Sequence, residues 1–287
     1  MRSINKLNYF NVIKNLVLPY LYNEELQMNK KARDVLLYFA SKYEGNYHAI
    51  INALRSKEPV DDALFNKYKE DWEKVDTITI IDEDYPALFK TVNNPPIVLF
   101  LKGNKELLFN LEKAIAVIGA REYSEYGKNM TYEIVEGLVK EKFTIVSGLA
   151  RGIDGFSHDA CLRAGGNTIA VLGSGINYPY PKSNKKLYDE VSKHGLLITE
   201  YPNDTKPEPD YFKFRNRLVA ALTKAVLIIE AKYRSGTIIT VGYALEKGSD
   251  VFCVPERAGR NSGCNRLIKD GAYLVESASD IIKLWPN

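Results

Sequence analysis

The chain has 287 residues, 45% hydrophobic and 26% charged, with a net charge of +3. This is ordinary globular composition, enough for one large domain or one large and one small, and it excludes wholesale disorder. The charge is too mild to diagnose or exclude a nucleic-acid partner, because what matters is whether the cations cluster on one face.

Residues 1 to about 74 are rich in Lys, Glu, Asn and Tyr, with apolar residues at helical spacing. Val35, Leu36, Phe39 and Ala40 form one stripe, and Ile50, Ile51 and Leu54 another, which predicts a small all-helical module. Glu58-Pro59 interrupts it, since proline disfavours helix at the residue before it. Strands are expected at Thr77–Ile81 and Ile97–Phe100, with turns at Tyr85-Pro86 and Pro95-Pro96 between them. From Ala114 a β–α alternation runs to the end. The strands are expected at 114–118, 143–146, 168–172, 195–199, 225–230 and 250–254. Helices are expected at about 124–141, 153–164, 184–193, 212–222, 237–247 and 263–270, then a strand at 273–275 and a short helix to Leu284. The strands are apolar runs rather than alternating ones, as in a parallel sheet covered on both faces. The predicted fold class is therefore α/β, a doubly wound, mostly parallel sheet over residues 75–287, preceded by a helical module over 1–74.

Ligands of such sheets bind at the carboxyl ends of the strands. There the first loop carries Gly119 and Arg121, a sharp turn and a forked cation before a helix amino end. The second carries Ser147, Gly148 and the following amides, with Asp154 read as a helix cap and His158 as structural. The third runs from Gly173 to Lys186 and mixes Tyr178, Tyr180 and prolines with Lys182, Asn184 and Lys185, a composition suited to stacking and phosphate neutralisation. Arg215, Asn216 and Arg217 read as a phosphate clamp, with one arginine for ligand and one for structure. Lys232 and Arg234 flank Ser235, Gly236 and Thr237, an amide-rich helix start.

Several classes are excluded. The first loop has one glycine, so it is not a dinucleotide fingerprint, and no P-loop, H-E-x-x-H or G-x-S-x-G occurs. Cys161, Cys253 and Cys264 are odd in number and without C-x-x-C spacing, which argues against a disulfide framework or zinc site and for reduced thiols of a cytoplasmic protein. No signal peptide or membrane span is expected, the Leu16–Leu18 run being cut by Pro19. No catalytic residue, metal or cofactor is expected.

Taken in order, these loops resemble the DNA-processing protein A family (DprA, also called Smf). The matching stretches are Ile118-Gly-Ala-Arg121, Ser147-Gly-Leu-Ala-Arg-Gly-Ile-Asp154, Gly173-Ser-Gly175, Tyr178-Pro179 with Asn184, and Arg215-Asn-Arg217. They continue with Glu230-Ala231, Ser235-Gly-Thr237 and Thr240, Gly248 through Asp250-Val251, Pro255, Gly263 before Leu267-Ile268, and Gly271-Ala272, so that the resemblance covers about residues 78 to 280. It implies an extended Rossmann-type fold that binds single-stranded DNA in a basic pocket without turnover. It also implies protection of incoming DNA, loading of the RecA recombinase in natural transformation, and a homodimer through the C-terminal part of the domain. By the same resemblance Arg121 is the pocket arginine, Lys182 or Lys185 the pocket lysine, and Arg215 and Arg217 the family's R-N-R. Leu18-Pro-Tyr-Leu-Tyr-Asn23 lacks the glycine of the family's helix-hairpin-helix turns, so DNA binding is not carried over to residues 1–74. The winged-helix domain that ends many members is expected to be absent, the chain stopping at Asn287. The rival reading is a nucleotide-binding or phosphoribohydrolase-like enzyme with Glu230 or Glu246 in hydrolysis. Against it, Arg234-Ser-Gly-Thr237 lacks the P-G-G-x-G-T loop of such enzymes.

Overall fold

The computed structural model describes residues 9–18, 31–258 and 261–286. Pro19 to Asn23, most of the glycine-less turn, lie outside the described residues. The chain forms two compact units, Met1–Lys102 with Ser174–Tyr178 and Ile198–Lys206, and Gly103–Gly173 with Pro179–Leu197 and Pro207–Asn287.

The first unit holds α1 (Tyr9–Val17), α2 (Ala32–Lys42), α3 (Tyr47–Arg55) and α4 (Asp62–Trp72). Asn46 and Asp61 start α3 and α4 by accepting from the amides of Ala49 and Leu64, the usual solution for orphaned first-turn donors. The α2 stripe is wider than its spacing suggests, for every residue from Val35 to Ala40 is buried. The helix packs against α1, α3, α4 and β1 (Asp76–Thr79), so little of its circumference is left to water. β1 pairs antiparallel with β2 (Val98–Gly103), Thr77 opposite Phe100. Arg33 joins helix to strand by donating to Thr77 O and Oγ1 and to Asp82 Oδ2 at 3.1 Å.

In the second unit strands and helices alternate as β3 (Ala114–Ile118), α5 (Glu125–Lys140), β4 (Thr144–Ser147), α6 (Ile153–Arg163), β5 (Thr168–Val171), α7 (Lys185–His194) and β6 (Leu196–Thr199, of which Leu196 and Leu197 belong here). They continue with α8 (Pro209–Ala221), β7 (Ala225–Ile228), α9 (Gly236–Lys247), β8 (Asp250–Cys253), α10 (Gly263–Lys269), β9 (Tyr273–Leu274) and α11 (Ala278–Lys283). The sheet order is β6-β5-β4-β3-β7-β8-β9. The pairs from β5 to β9 are parallel, with Ile115 opposite Ile145 on one side and Ala225 on the other. The chain winds outward from β3 through β4, β5 and β6 and then returns to the other side of β3. The order therefore reverses between β3 and β7, where such sheets open a crevice. Ile115, Val117, Ile145, Leu227 and Phe252 pack with α5, α6 and α11 in one core layer. α8 and α9 pack on each other and on β5, β7 and β8. β3 to β7 are buried at every position, which accounts for their mostly apolar, non-alternating sequence. α8 starts earlier than its apolar spacing indicates, because Pro209 occupies its first turn, where a missing N–H costs nothing. Among the described residues no helix is long and apolar enough to cross a membrane.

Candidate functional site

A cleft of about 780 Å³ opens in the second unit over the carboxyl ends of β3 and β4, beside the amino end of α9. Its walls come from the turns after β3 (Gly119–Glu122) and β4 (Gly148, Ala150 and Arg151), from Tyr180, from the start of α8, and from Lys232, Ser235–Thr237, Ile239 and Thr240.

Glycine is required where these turns meet. A Cβ on Gly119 would lie 2.7 Å from Ile153 Cγ1 and 2.9 Å from Glu230 O. The turn is fastened on both sides, Ala120 N donating to Glu230 O at 2.7 Å and Thr237 Oγ1 to Gly119 O at 3.2 Å. The Glu230 carboxylate accepts from Ser124 N and Oγ at 2.9 Å each, holding the start of α5.

Asp154 does not cap its helix. Gly152, at φ +84°, takes the N-cap position without a side-chain bond, and the buried Asp154 carboxylate accepts from Gly148 N at 3.2 Å and from the Gly119 amide. It ties the two strand-end turns together. Burial pushes its pKa up, opposed by the Arg215 charge, the Gly119 amide, Arg121 and the Gly148 amide. Arg215, only 3% exposed, donates to Gly148 O at 2.8 Å and to Val171 O, so its guanidinium is largely committed to the framework although it reaches the cleft floor. A Cβ on Gly148 would sit 2.4 Å from that guanidinium. Arg217 is equally buried, lies 3.7 Å from the Phe214 ring centroid, and does not line the cleft. His158 is structural, as its surroundings in the sequence suggest. Its Nδ1 lies 2.7 Å from Thr168 Oγ1, and burial, followed by the Arg215 charge, lowers its pKa to about 3.

The cleft thus gathers nine of the residues singled out from sequence, Gly119, Arg121, Gly148, Arg215, Asn216, Lys232, Ser235, Gly236 and Thr237. Arg121 is exposed, lies 5.6 Å from the Phe212 ring centroid, and forms no ion pair among the described residues. Lys232 meets Glu122 at 3.0 Å at the cleft mouth, and this contact holds the Glu122 carboxyl below the usual carboxylate range. Asn216 Nδ2 reaches Gly236 O at 3.4 Å. Asp154 and Tyr180 line the cleft as well, whereas Ser147, Lys182, Asn184, Lys185, Arg217 and Arg234 lie outside the lining. Ser147 Oγ is buried and donates to Val117 O at 2.7 Å. Asn184 Nδ2 braces the second turn through Leu149 O at 3.1 Å and Ala150 O at 3.0 Å. Lys182 sits in the 3-10 turn Lys182–Asn184, and Lys185 on α7 pairs with Asp189 at 3.0 Å.

Sequence reasoning missed Phe212. It stands half-buried on the first turns of α8, its ring 5.2 Å from that of Tyr180 at an interplanar angle of 33°. The Gly173 signal belongs to it, for a Cβ at Gly173 would lie 2.6 Å from Phe212 Cδ1. Arg151, which lies within the quoted Ser147–Asp154 stretch, also lines the cleft, as do Lys213 and Ile239, which only their position beside quoted motifs could have marked.

The family described as DNA recombination-mediator protein A matches residues 76–286. The DNA processing protein DprA of Streptococcus pneumoniae is 40% identical over 225 residues, 78% of this chain and 78% of that protein. The X-ray structure of DNA processing protein A from Streptococcus pneumoniae aligns over 100% of both chains with a TM-score of 0.75 and 33% identity. DNA processing protein A from Helicobacter pylori, solved for insight into its single-stranded DNA binding mode, aligns over 73% of this chain and 95% of its own, with a TM-score of 0.66 and 30% identity. With the family match spanning the whole α/β region and these relatives covering most of the chain, the protein belongs to the DNA recombination-mediator protein A family.

Proposed function

We propose that the cleft binds single-stranded DNA without sequence preference and without turnover, and that residues 75–287 are the DNA-binding domain. The observation that carries this reading is Arg121, exposed and unpaired, over an aromatic wall of Phe212 and Tyr180 and beside the amino end of α9. A cation and a helix amino end suit phosphate, and the aromatic faces suit any base. Contacts to backbone and stacking faces carry no sequence information. The structure of the Helicobacter pylori relative concerns single-stranded DNA binding, which supports the same ligand here. Against hydrolysis, the Glu230 carboxylate is occupied by Ser124 and is not among the cleft-lining groups.

Family membership supports a further role in which the bound strand is protected and passed to the RecA recombinase in natural transformation. A homodimer through the C-terminal part of the domain fits the edge strand β9, where Tyr273 and Leu274 are exposed. Leu274→Glu is expected to yield monomers in light scattering. The test of the ligand is fluorescence anisotropy with matched single- and double-stranded oligonucleotides. Tighter binding of the single strand, weakening steeply with salt, is expected. Equal binding of both forms, or none at low salt, overturns the reading.

A further inference from the structure

The Ser235–Gly236 turn has a cavity on each side. Beyond the cleft, a shallow depression of about 550 Å³ is lined by Tyr233, Arg234, Ser235, Gly236, Ile238 and Ile239. Ser235, Gly236 and Ile239 border both spaces. The Tyr233 backbone is pinned, its N–H donating to Asn261 O at 3.3 Å while Lys232 bridges Ser262. The residue remains 43% exposed, with the Arg266 guanidinium 5.5 Å from its ring centroid. Arg266 shares its charge with Asp270 at 3.2 Å, whereas the exposed Arg234 has no ion pair among the described residues.

An exposed aromatic side chain on a pinned backbone, bordered by isoleucines and by an arginine with no ion pair among the described residues, has the composition of a base-stacking platform. The turn between the cavities is open and polar. A Cβ at Gly236 would meet nothing within 4 Å, and Ser235 Oγ, at the N-cap of α9, makes no hydrogen bond among the described residues. We propose that the Tyr233 depression is a second base-stacking site for the same single strand. One nucleotide lies in the cleft, the next stacks on Tyr233, and the phosphodiester between them crosses the Ser235–Gly236 turn with Arg234 as its neighbouring cation. The inference rests on the cleft being the single-strand site, and it fixes the side on which the strand leaves.

The test uses the full chain, oligothymidylates lengthened one nucleotide at a time, and anisotropy at fixed salt. Tyr233→Ala is expected to bind the shortest competent strand as the parent does, and to lose about tenfold on strands one or two nucleotides longer. Tyr233→Trp restores the gain with length, and Arg234→Gln shows a smaller loss with the same length dependence. A thermal melt checks the fold of each variant. If Tyr233→Ala matches the parent at every length while Arg121→Ala weakens all of them, the second site falls and the cleft reading stands. A Tyr233→Ala loss that is equal at every length also overturns the second site. If no strand binds the parent protein, the cleft reading itself fails.

Discussion

Replacing Arg121 by alanine separates an electrostatic cleft from a merely shaped one. The side chain is exposed at the cleft wall, lies 5.6 Å from the Phe212 ring centroid and forms no ion pair among the described residues. Its removal therefore leaves the fold intact and takes a charge-assisted phosphate contact away. A hydrogen bond to a charged group contributes about 1.5–3 kcal/mol, so the dissociation constant for single-stranded DNA should rise by roughly 10- to 100-fold. The salt dependence is the sharper readout. Each phosphate neutralised on a single strand contributes about 0.7 to the slope of log affinity against log salt, and that amount should vanish in the variant. Arg121→Lys should keep most of the slope yet recover only part of the affinity, because an ammonium keeps the charge and loses the planar fork over Phe212. Anisotropy titrations at four or more salt concentrations measure both quantities, and a thermal melt confirms the fold. A slope unchanged from the parent, with affinity within about twofold, refutes Arg121 as the phosphate anchor.

Other expectations follow from the same geometry. Glu122→Gln releases Lys232 from their 3.0 Å contact at the cleft mouth and removes a carboxylate facing the ligand, so affinity should rise a few-fold and the salt slope steepen; an unchanged slope would show that Lys232 does not reach the strand. Lys185→Ala removes a solvated cation already paired with Asp189 outside the cleft, and binding should weaken by no more than about twofold. His158 makes the fold acid-sensitive. Its folded pKa of about 3 lies below its unfolded value, so the unfolded chain takes up the proton first and stability is lost as pH falls from about 6.5 towards 3. At about 1.4 kcal/mol per pH unit the full loss is roughly 5 kcal/mol, and urea titrations at stepped pH should show it shrinking in His158→Asn, once the variant's own lower stability at neutral pH is subtracted.

What was legible in the sequence divides by physical cause. The parallel sheet announces itself because strands covered on both faces are mostly apolar, and β3 through β7, buried at every position, depart from that only at Thr144, Ser147, Thr168 and Thr199. Turns that need glycine are legible too, since only the missing Cβ lets Gly119 lie against Ile153 and Gly148 against the Arg215 guanidinium. The role of a polar side chain is not legible in this way. Arg121 and Arg215 read alike as cations in quoted motifs, yet one faces the cleft unpaired while the other spends its donors on Gly148 O and Val171 O. Nothing local to Arg-Asn-Arg says that β5 will present a carbonyl to it. Asp154 misleads for the same reason. Its place near a helix start suggests a cap, but the amides of Gly119 and Gly148 converge on it from the turns after β3 and β4. Phe212 escaped because an aromatic on the first turns of a helix is ordinarily core, and only the approach of Gly173, Tyr180 and Arg121 makes it a wall of the cleft. The groups that bind are those left over once the framework has taken its hydrogen bonds, and that remainder is a property of the fold rather than of any motif.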